Sequence, residues 1–137
     1  MGDLKDLIDR RYGTDAGIDG GGDENGVLAH LLSRRSIRAY KDEPVSDEML
    51  KMLIACAQSA PCKSNLQQYS ILIVKDPAVR KALAPWCPRT KDLETVPGLL
   101  VFCADMRRNQ RIGDFRGKPH VNNNMDTFLN ATVDASL

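Results

Sequence analysis

Aromatic residues are scarce: one Trp, three Tyr and three Phe make up 5% of a 137-residue sequence. Aliphatic side chains must therefore fill most of any core, and the absence of aromatics interleaved with basic residues speaks against a nucleic-acid surface. Neither sign of charge dominates, since 19 Lys and Arg oppose 18 Asp and Glu for a formal net charge of +1. A near-neutral balance argues against a protein that coats nucleic acid or an acidic membrane, so its basic clusters are local devices. No apolar run approaches the roughly 20 residues of a membrane span, and the opening MGDLKDLIDRRYG lacks the basic-then-apolar order of a signal peptide. The expected location is the cytoplasm. The four cysteines, Cys56, Cys62, Cys87 and Cys103, show no CxxC and no Cys/His spacing suited to zinc, and are read as reduced, packed thiols. What remains, 42% apolar and 27% charged residues, suits a single globular domain with a real core.

The periodicity divides the chain into an N-terminal segment, residues 1–26, and a domain over residues 27–137. Leu4, Leu7 and Ile8 mark a short amphipathic helix, and residues 13–26 hold six of the ten glycines, the composition of a flexible tether. The acidic residues of that tether do not fall at the spacing of a calcium loop. Val27, Leu28, Leu31 and Leu32 recur at helical spacing. Ser46 is the expected N-cap of a second domain helix with Asp47 and Glu48 in its first turn, and Leu50, Leu53, Ile54 and Ala57 form its buried face until Pro61 stops it. SILIV, residues 70–74, reads as a buried strand, and Asp76 with Pro77 opens a short helix. GLLVFCA, residues 98–104, is a second strand, its continuous apolar character predicting cover on both faces. Met125, Phe128, Leu129, Thr132, Val133 and Ser136 trace the stripe of a core helix, still running at Leu137 with no stop signal. That pattern predicts the N-terminal part of a larger protein.

Two groups of residues are dense enough in polar function to carry chemistry. In SRRSIRAY, residues 33–40, Arg34, Arg35 and Arg38 surround Ser36 where helix gives way to extended chain. Guanidinium forks match phosphate oxygens bidentately and a serine hydroxyl adds a neutral donor, the makings of a phosphate clamp. A solvated basic helix end, complementing the helix dipole, fits the same residues. In SAPCKSNLQQYS, residues 59–70, a helix end and a buried strand bracket Pro61, Cys62, Lys63, Ser64, Asn65, Gln67 and Gln68, a polar loop on rigid supports where ligands are commonly read. Neither His30 nor His120 lies near Cys62 in sequence to serve as its base, so a catalytic thiol is not expected.

Taken together and in order, these segments resemble the opening of the nitroreductase family of FMN-dependent oxidoreductases. The resemblance rests on the basic-basic-Ser-x-basic motif at 34–38, Pro44-Val45 and its helix, the Ala-Pro-polar-Asn-x-Gln loop at 60–67, and the strand ending at Asp76-Pro77. VPGLLVFCADMRRNQRI is similar to that family's second strand and its exit, and FLNATVDASL to the start of its long central helix. LQQYS and VFCAD lean toward the NADPH-dependent, oxygen-insensitive branch. The implied fold is α+β, a central, mostly antiparallel sheet flanked by helices, here ending within a core helix.

The resemblance implies a homodimer with FMN at the subunit interface and NAD(P)H as electron donor. It implies that Arg34, Arg35, Ser36 and Arg38 hold the phosphate and ribityl chain, and that Pro61, Cys62, Lys63, Asn65 and Gln67 approach the flavin from the other subunit. Thr90 and Lys91 fall near a position that contacts the pyrimidine edge. The implied activity is ping-pong transfer of hydride to nitroaromatics, quinones or similar acceptors, with the flavin carrying the reaction and no protein acid, base or nucleophile required. The chain departs from the family pattern at Cys62 and Lys63, where serines are common, and at Gln68 and Tyr69, where Pro-Trp is frequent. Flavin-degrading or dehalogenating relatives share the fold, and two readings outside that activity stay open. One is a non-catalytic or truncated flavin-binding remnant; the other is an anion- or nucleic-acid-binding module built on the arginines.

Overall fold

The computed structural model describes residues 3–18, 20–22, 26–87, 93–121 and 123–137. They form two compact units, Met1–Ala39 and Tyr40–Leu137. In the first, helix α1 (Leu4–Tyr12) packs against helix α2 (Val27–Ser33). Gly13 ends α1 in the left-handed conformation, its N–H donating back to the Asp9 carbonyl as a helix C-terminus requires. The glycine-rich segment then folds back on α1. The Ala16 N–H donates to Asp9 Oδ1 at 2.9 Å, and Lys5 Nζ donates to Asp9 at 2.8 Å and to Asp15 at 3.0 Å. A Cβ on Gly20 would lie 2.8 Å from the Lys5 amide nitrogen, so only glycine fits that approach.

The second unit runs helix α3 (Asp47–Gln58), strand β1 (Tyr69–Ile73), helix α4 (Pro77–Leu83), strand β2 (Leu100–Ala104), helix α5 (Arg107–Phe115) and helix α6 (Met125–Ser136). The punctuation read from the sequence holds. Ser46 Oγ accepts the Met49 N–H at the start of α3, and Asp76 accepts the Ala78 N–H ahead of Pro77 in α4. β1 and β2 pair antiparallel from Tyr69 opposite Ala104 to Ile73 opposite Leu100, and the Val74 N–H continues the ladder to the Leu99 carbonyl at 2.9 Å. Arg80 ties the end of β1 to the following segment, donating from Nε to the Val74 carbonyl at 3.0 Å and from Nη1 to the Val96 carbonyl at 2.6 Å. Leu50, Tyr69, Val74, Leu93, Val96 and Ala131 are the buried apolar residues of this unit.

Three faces differ from the sequence reading. α6 packs on both strands, yet the residues it buries are Thr127, Ala131 and Asp134, while Met125, Phe128, Leu129 and Val133 are half exposed or more. Small side chains let the α6 backbone approach the sheet closely, and the larger apolar stripe predicted for the core turns outward. In α3 only Leu50 is buried and Leu53 is exposed. The strands, expected to be covered on both faces, leave Leu72, Ile73 and Phe102 largely exposed. Helix α5, rich in charge and with only Ile112 and Phe115 as large apolar residues, is an element the sequence reading misses. Its Gly113 faces the chain that follows, where a Cβ would stand 2.7 Å from the Lys118 carbonyl oxygen and 3.0 Å from the His120 nitrogen. Gly113→Ala is therefore expected to destabilise by roughly 1–3 kcal/mol through forced backbone displacement, against a gain of about 1 kcal/mol in helix propensity, measurable by urea denaturation.

Candidate functional site

Arg34, Arg35, Ser36 and Arg38 lie in one exposed, extended segment immediately after α2. The Arg34 backbone leaves the helix at φ −58°, ψ 129°, as expected where helix gives way to strand-like chain. Arg34, Arg35 and Arg38 form no ion pair among the described residues. Three guanidinium groups so close in sequence, with no carboxylate paired to them among the described residues, concentrate positive charge that an anion can neutralise.

The loop leaving α3 is built differently. Lys63–Asn65 form a single 3-10 turn, and Ser64, Asn65 and Gln67 adopt φ of 53°, 54° and 48°. Non-glycine residues rarely occupy this left-handed region, and each such residue costs free energy that surrounding contacts must offset. α5 and α6 supply them. The Asn109 carboxamide donates to the Leu66 carbonyl at 2.9 Å, and the Arg108 guanidinium donates to the Gln67 carbonyl. From α6 the buried Asp134 carboxylate accepts the Gln68 N–H at 3.1 Å and the Lys63 N–H at 3.4 Å. The Lys63 ammonium reaches Asp126 at 3.0 Å, holding that carboxyl below its ordinary value, with the Asn130 carboxamide assisting. The backbone of residues 63–68 is thus fixed from both sides while Pro61, Lys63, Asn65 and Gln67 stay exposed. Cys62 is half-buried, its thiol donating to the Ala60 carbonyl at 3.6 Å. Gln68 is buried, and neither end of its carboxamide finds a partner among the described residues.

Asp105, just past β2, secures the α5 side of this loop. Its Oδ1 accepts the Arg108 N–H at 3.1 Å and its other oxygen accepts the Ser70 hydroxyl, which together lower its pKa, the serine bond most. Because the folded carboxyl titrates below its unfolded value, this stabilisation is present at neutral pH and disappears as pH falls through the folded pKa. Ser70→Ala is expected to raise the Asp105 pKa toward the ordinary value and to shrink the stability difference between neutral and acid pH. Side-chain carboxyl NMR titration reads the first, and urea denaturation across pH the second.

Two sequence-predicted positions, Thr90 and Lys91, lie outside the described residues. The others fall in two local groups, Arg34–Arg38 in the first unit and Pro61–Gln67 in the second. Sequence reading missed the supports: Arg108, Asn109, Asp126 and Asp134. The one signal that pointed to them is Asp134, an acidic residue beyond the first turn of a helix whose apolar stripe reads as core, where no N-terminal dipole accounts for it.

The nitroreductase family profile matches residues 31–132, a span containing both groups. The chain belongs to the nitroreductase family. Its relatives include the FMN reductase (NAD(P)H) of Bacillus subtilis, 34% identical over 117 residues, which cover 82% of this chain and 46% of that protein. The oxygen-insensitive NADPH nitroreductase of Salmonella typhimurium is 40% identical over 82 residues, 60% of this chain and 34% of the relative. Among solved structures, the NfrA1 nitroreductase of B. subtilis superposes with a TM-score of 0.74 at 31% identity, over 80% of this chain and 45% of that one. The chain spans less than half the length of these family members. Helix α1 and the glycine-rich segment precede the matched span. The paired antiparallel strands with flanking helices are the α+β arrangement that the sequence predicted. Among the described residues, no helix is long and apolar enough to cross a membrane.

Proposed function

We propose that this protein is an FMN-dependent oxidoreductase that takes electrons from NAD(P)H and passes them to nitroaromatics, quinones or similar acceptors, donor and acceptor using one site in turn. The observation that carries the reading is the loop at residues 61–68. Three non-glycine residues held at left-handed φ by two separate helices form a costly backbone shape, at the loop where the family resemblance implies the flavin contact. The residues present fit that cofactor. Arg34, Ser36 and Arg38, with Arg35 beside them, offer unneutralised guanidinium forks and a hydroxyl for the dianionic phosphate and ribityl chain. Pro61, Cys62, Asn65 and Gln67 present a polar, preformed edge for an isoalloxazine ring, and Lys63, paired with Asp126, sets a partly neutralised cation beside it. Thr90 and Lys91 complete the proposed contact set. FMN, when bound, supplies the hydride chemistry. The chain's own residues bind, orient and electrostatically tune, and none is assigned as acid, base or nucleophile.

Partnership as a homodimer follows the same reading. The outward apolar stripe of α6, with Met125 69% and Phe128, Leu129 and Val133 each more than 50% exposed, is a contiguous surface suited to burial against another protein surface. The test is kinetic. Initial rates with NADPH and a quinone, varied against one another, are expected to give parallel double-reciprocal lines; intersecting lines would remove the alternating use of one site. Absence of any FMN-dependent NAD(P)H oxidation would favour the flavin-binding remnant.

A further inference from the structure

The first unit contains a cleft of about 740 Å³ between α1 and the chain that leaves α2. Its basic lining is Arg10, Arg11, His30, Arg34 and Arg35, and no acidic residue lines it among the described residues. Arg10 and Arg11 occupy the last turn of α1, where one cation would already complement the helix dipole. Arg10 Nε donates to the Asp6 carbonyl at 3.1 Å, but neither guanidinium forms an ion pair among the described residues. α1 is held firmly enough to present them. It packs on α2, and the Lys5–Asp9 and Lys5–Asp15 contacts with the tight Gly20 approach fasten the returning segment against it.

The extended segment 34–38 divides its side chains between two sides. Arg34, Arg35 and Ile37 line the cleft, whereas Ser36 and Arg38 do not. Alternation along extended chain accounts for the separation of Arg35 and Ile37 from Ser36 and Arg38. One phosphate dianion bound by Arg34, Ser36 and Arg38, with Arg35 beside them, would leave Arg10 and Arg11 unneutralised across the cleft. Leu7 and Ile37 give that cleft an apolar wall beside its positive charge.

We infer that this cleft is a second anion site, separate from the clamp of Arg34, Arg35, Ser36 and Arg38 that it adjoins, and that it takes a nucleotide bearing at least two phosphate charges, its base against Leu7 and Ile37 and its phosphates on Arg10 and Arg11. The separation of two sites rests on the FMN reading above; the cleft as an anion site does not. α1 lies outside the matched family span, so Leu7, Arg10 and Arg11 come from outside it while Arg34, Arg35 and Ile37 come from within it.

Calorimetric titration of the FMN-saturated protein tests it with three probes. ADP carries contiguous phosphates and a base, an adenosine bisphosphate carries its phosphates on separate ribose hydroxyls, and inorganic pyrophosphate has no base. At least one nucleotide is expected to bind more tightly than pyrophosphate, and the tighter nucleotide identifies the phosphate arrangement. Arg10→Ala/Arg11→Ala should weaken it about 10-fold or more with FMN affinity unchanged, and Arg11→Glu should weaken it further. Arg38→Ala should show the reverse pattern. Circular dichroism checks that each variant retains its helices. The inference is overturned if wild-type protein binds none of the probes, if the α1 variants bind nucleotide as wild type does, if nucleotide displaces FMN competitively, or if the same arginines bind only single-stranded RNA. Nucleotide binding by a protein that takes up no FMN would overturn the flavin reading and leave the cleft standing.

Discussion

Asp134→Ala is expected to lower the free energy of unfolding by about 2–4 kcal/mol, the largest stability effect of any single side chain in the loop's support. The carboxylate is buried on α6 and accepts two backbone N–H groups, one at each end of the strained turn. Its removal leaves the Lys63 and Gln68 donors without that partner, in a place where water reaches Gln68 poorly, and a charge-assisted hydrogen bond lost in that way costs more than its net contribution when formed. Nothing else described bonds the Gln68 N–H, and Ser64, Asn65 and Gln67 would relax from left-handed φ once the turn is released. Asp134→Asn tests the same point more finely. It preserves volume and one acceptor oxygen, but its amide group faces an N–H donor, so an intermediate loss is expected. Urea denaturation provides both values, and a change below about 0.5 kcal/mol for the alanine variant would mean that α6 does not shape the loop.

How much of this was legible beforehand follows from the kind of interaction involved. Ser46, Asp76-Pro77 and Pro61 act on their immediate neighbours, and α3, α4 and the loop start sit where those residues put them. Both strands were legible as continuous apolar runs. The packing face of α6 was not, because helical periodicity shows where large apolar residues align, not which face meets the sheet. There Thr127 and Ala131 go inward, since close backbone approach selects for size, and Met125 and Phe128 go outward. α5 is amphipathic, but it carries Arg107, Arg108 and Arg111 and only Ile112 and Phe115 as large apolar residues, too few to mark a helix on their own. The left-handed residues escaped notice for a related reason. The usual sign of such a backbone is glycine, and here contacts from residues 40 or more positions away impose it on Ser, Asn and Gln. The arginine cluster was plain in the sequence, but its division between two sides of an extended segment required the cleft.

The second large effect falls on ligand affinity. Arg38→Ala is expected to weaken FMN binding by order 1–3 kcal/mol, roughly 5- to 150-fold in Kd, through loss of a charge-assisted pair with the phosphate. Arg38 is exposed and takes no part in an ion pair among the described residues, so its removal leaves the fold intact and the change reports on the ligand. Arg38→Lys keeps the charge but replaces a planar fork with a point cation, and should recover only part of the loss. Riboflavin, which has the ring and ribityl chain without the phosphate, separates the contributions. Its affinity should be insensitive to Arg38, while Asp134→Ala, acting on the ring-facing loop, should weaken riboflavin and FMN alike.

Titration of the purified protein with FMN, followed by quenching of flavin fluorescence and repeated with Arg38→Ala, addresses the central claim that these arginines are a phosphate clamp for a flavin. Saturable binding by the wild type, weakened about 10-fold or more in the variant while riboflavin binds both equally, is the predicted result. No saturable FMN binding, or equal FMN affinity in the two proteins, would contradict it.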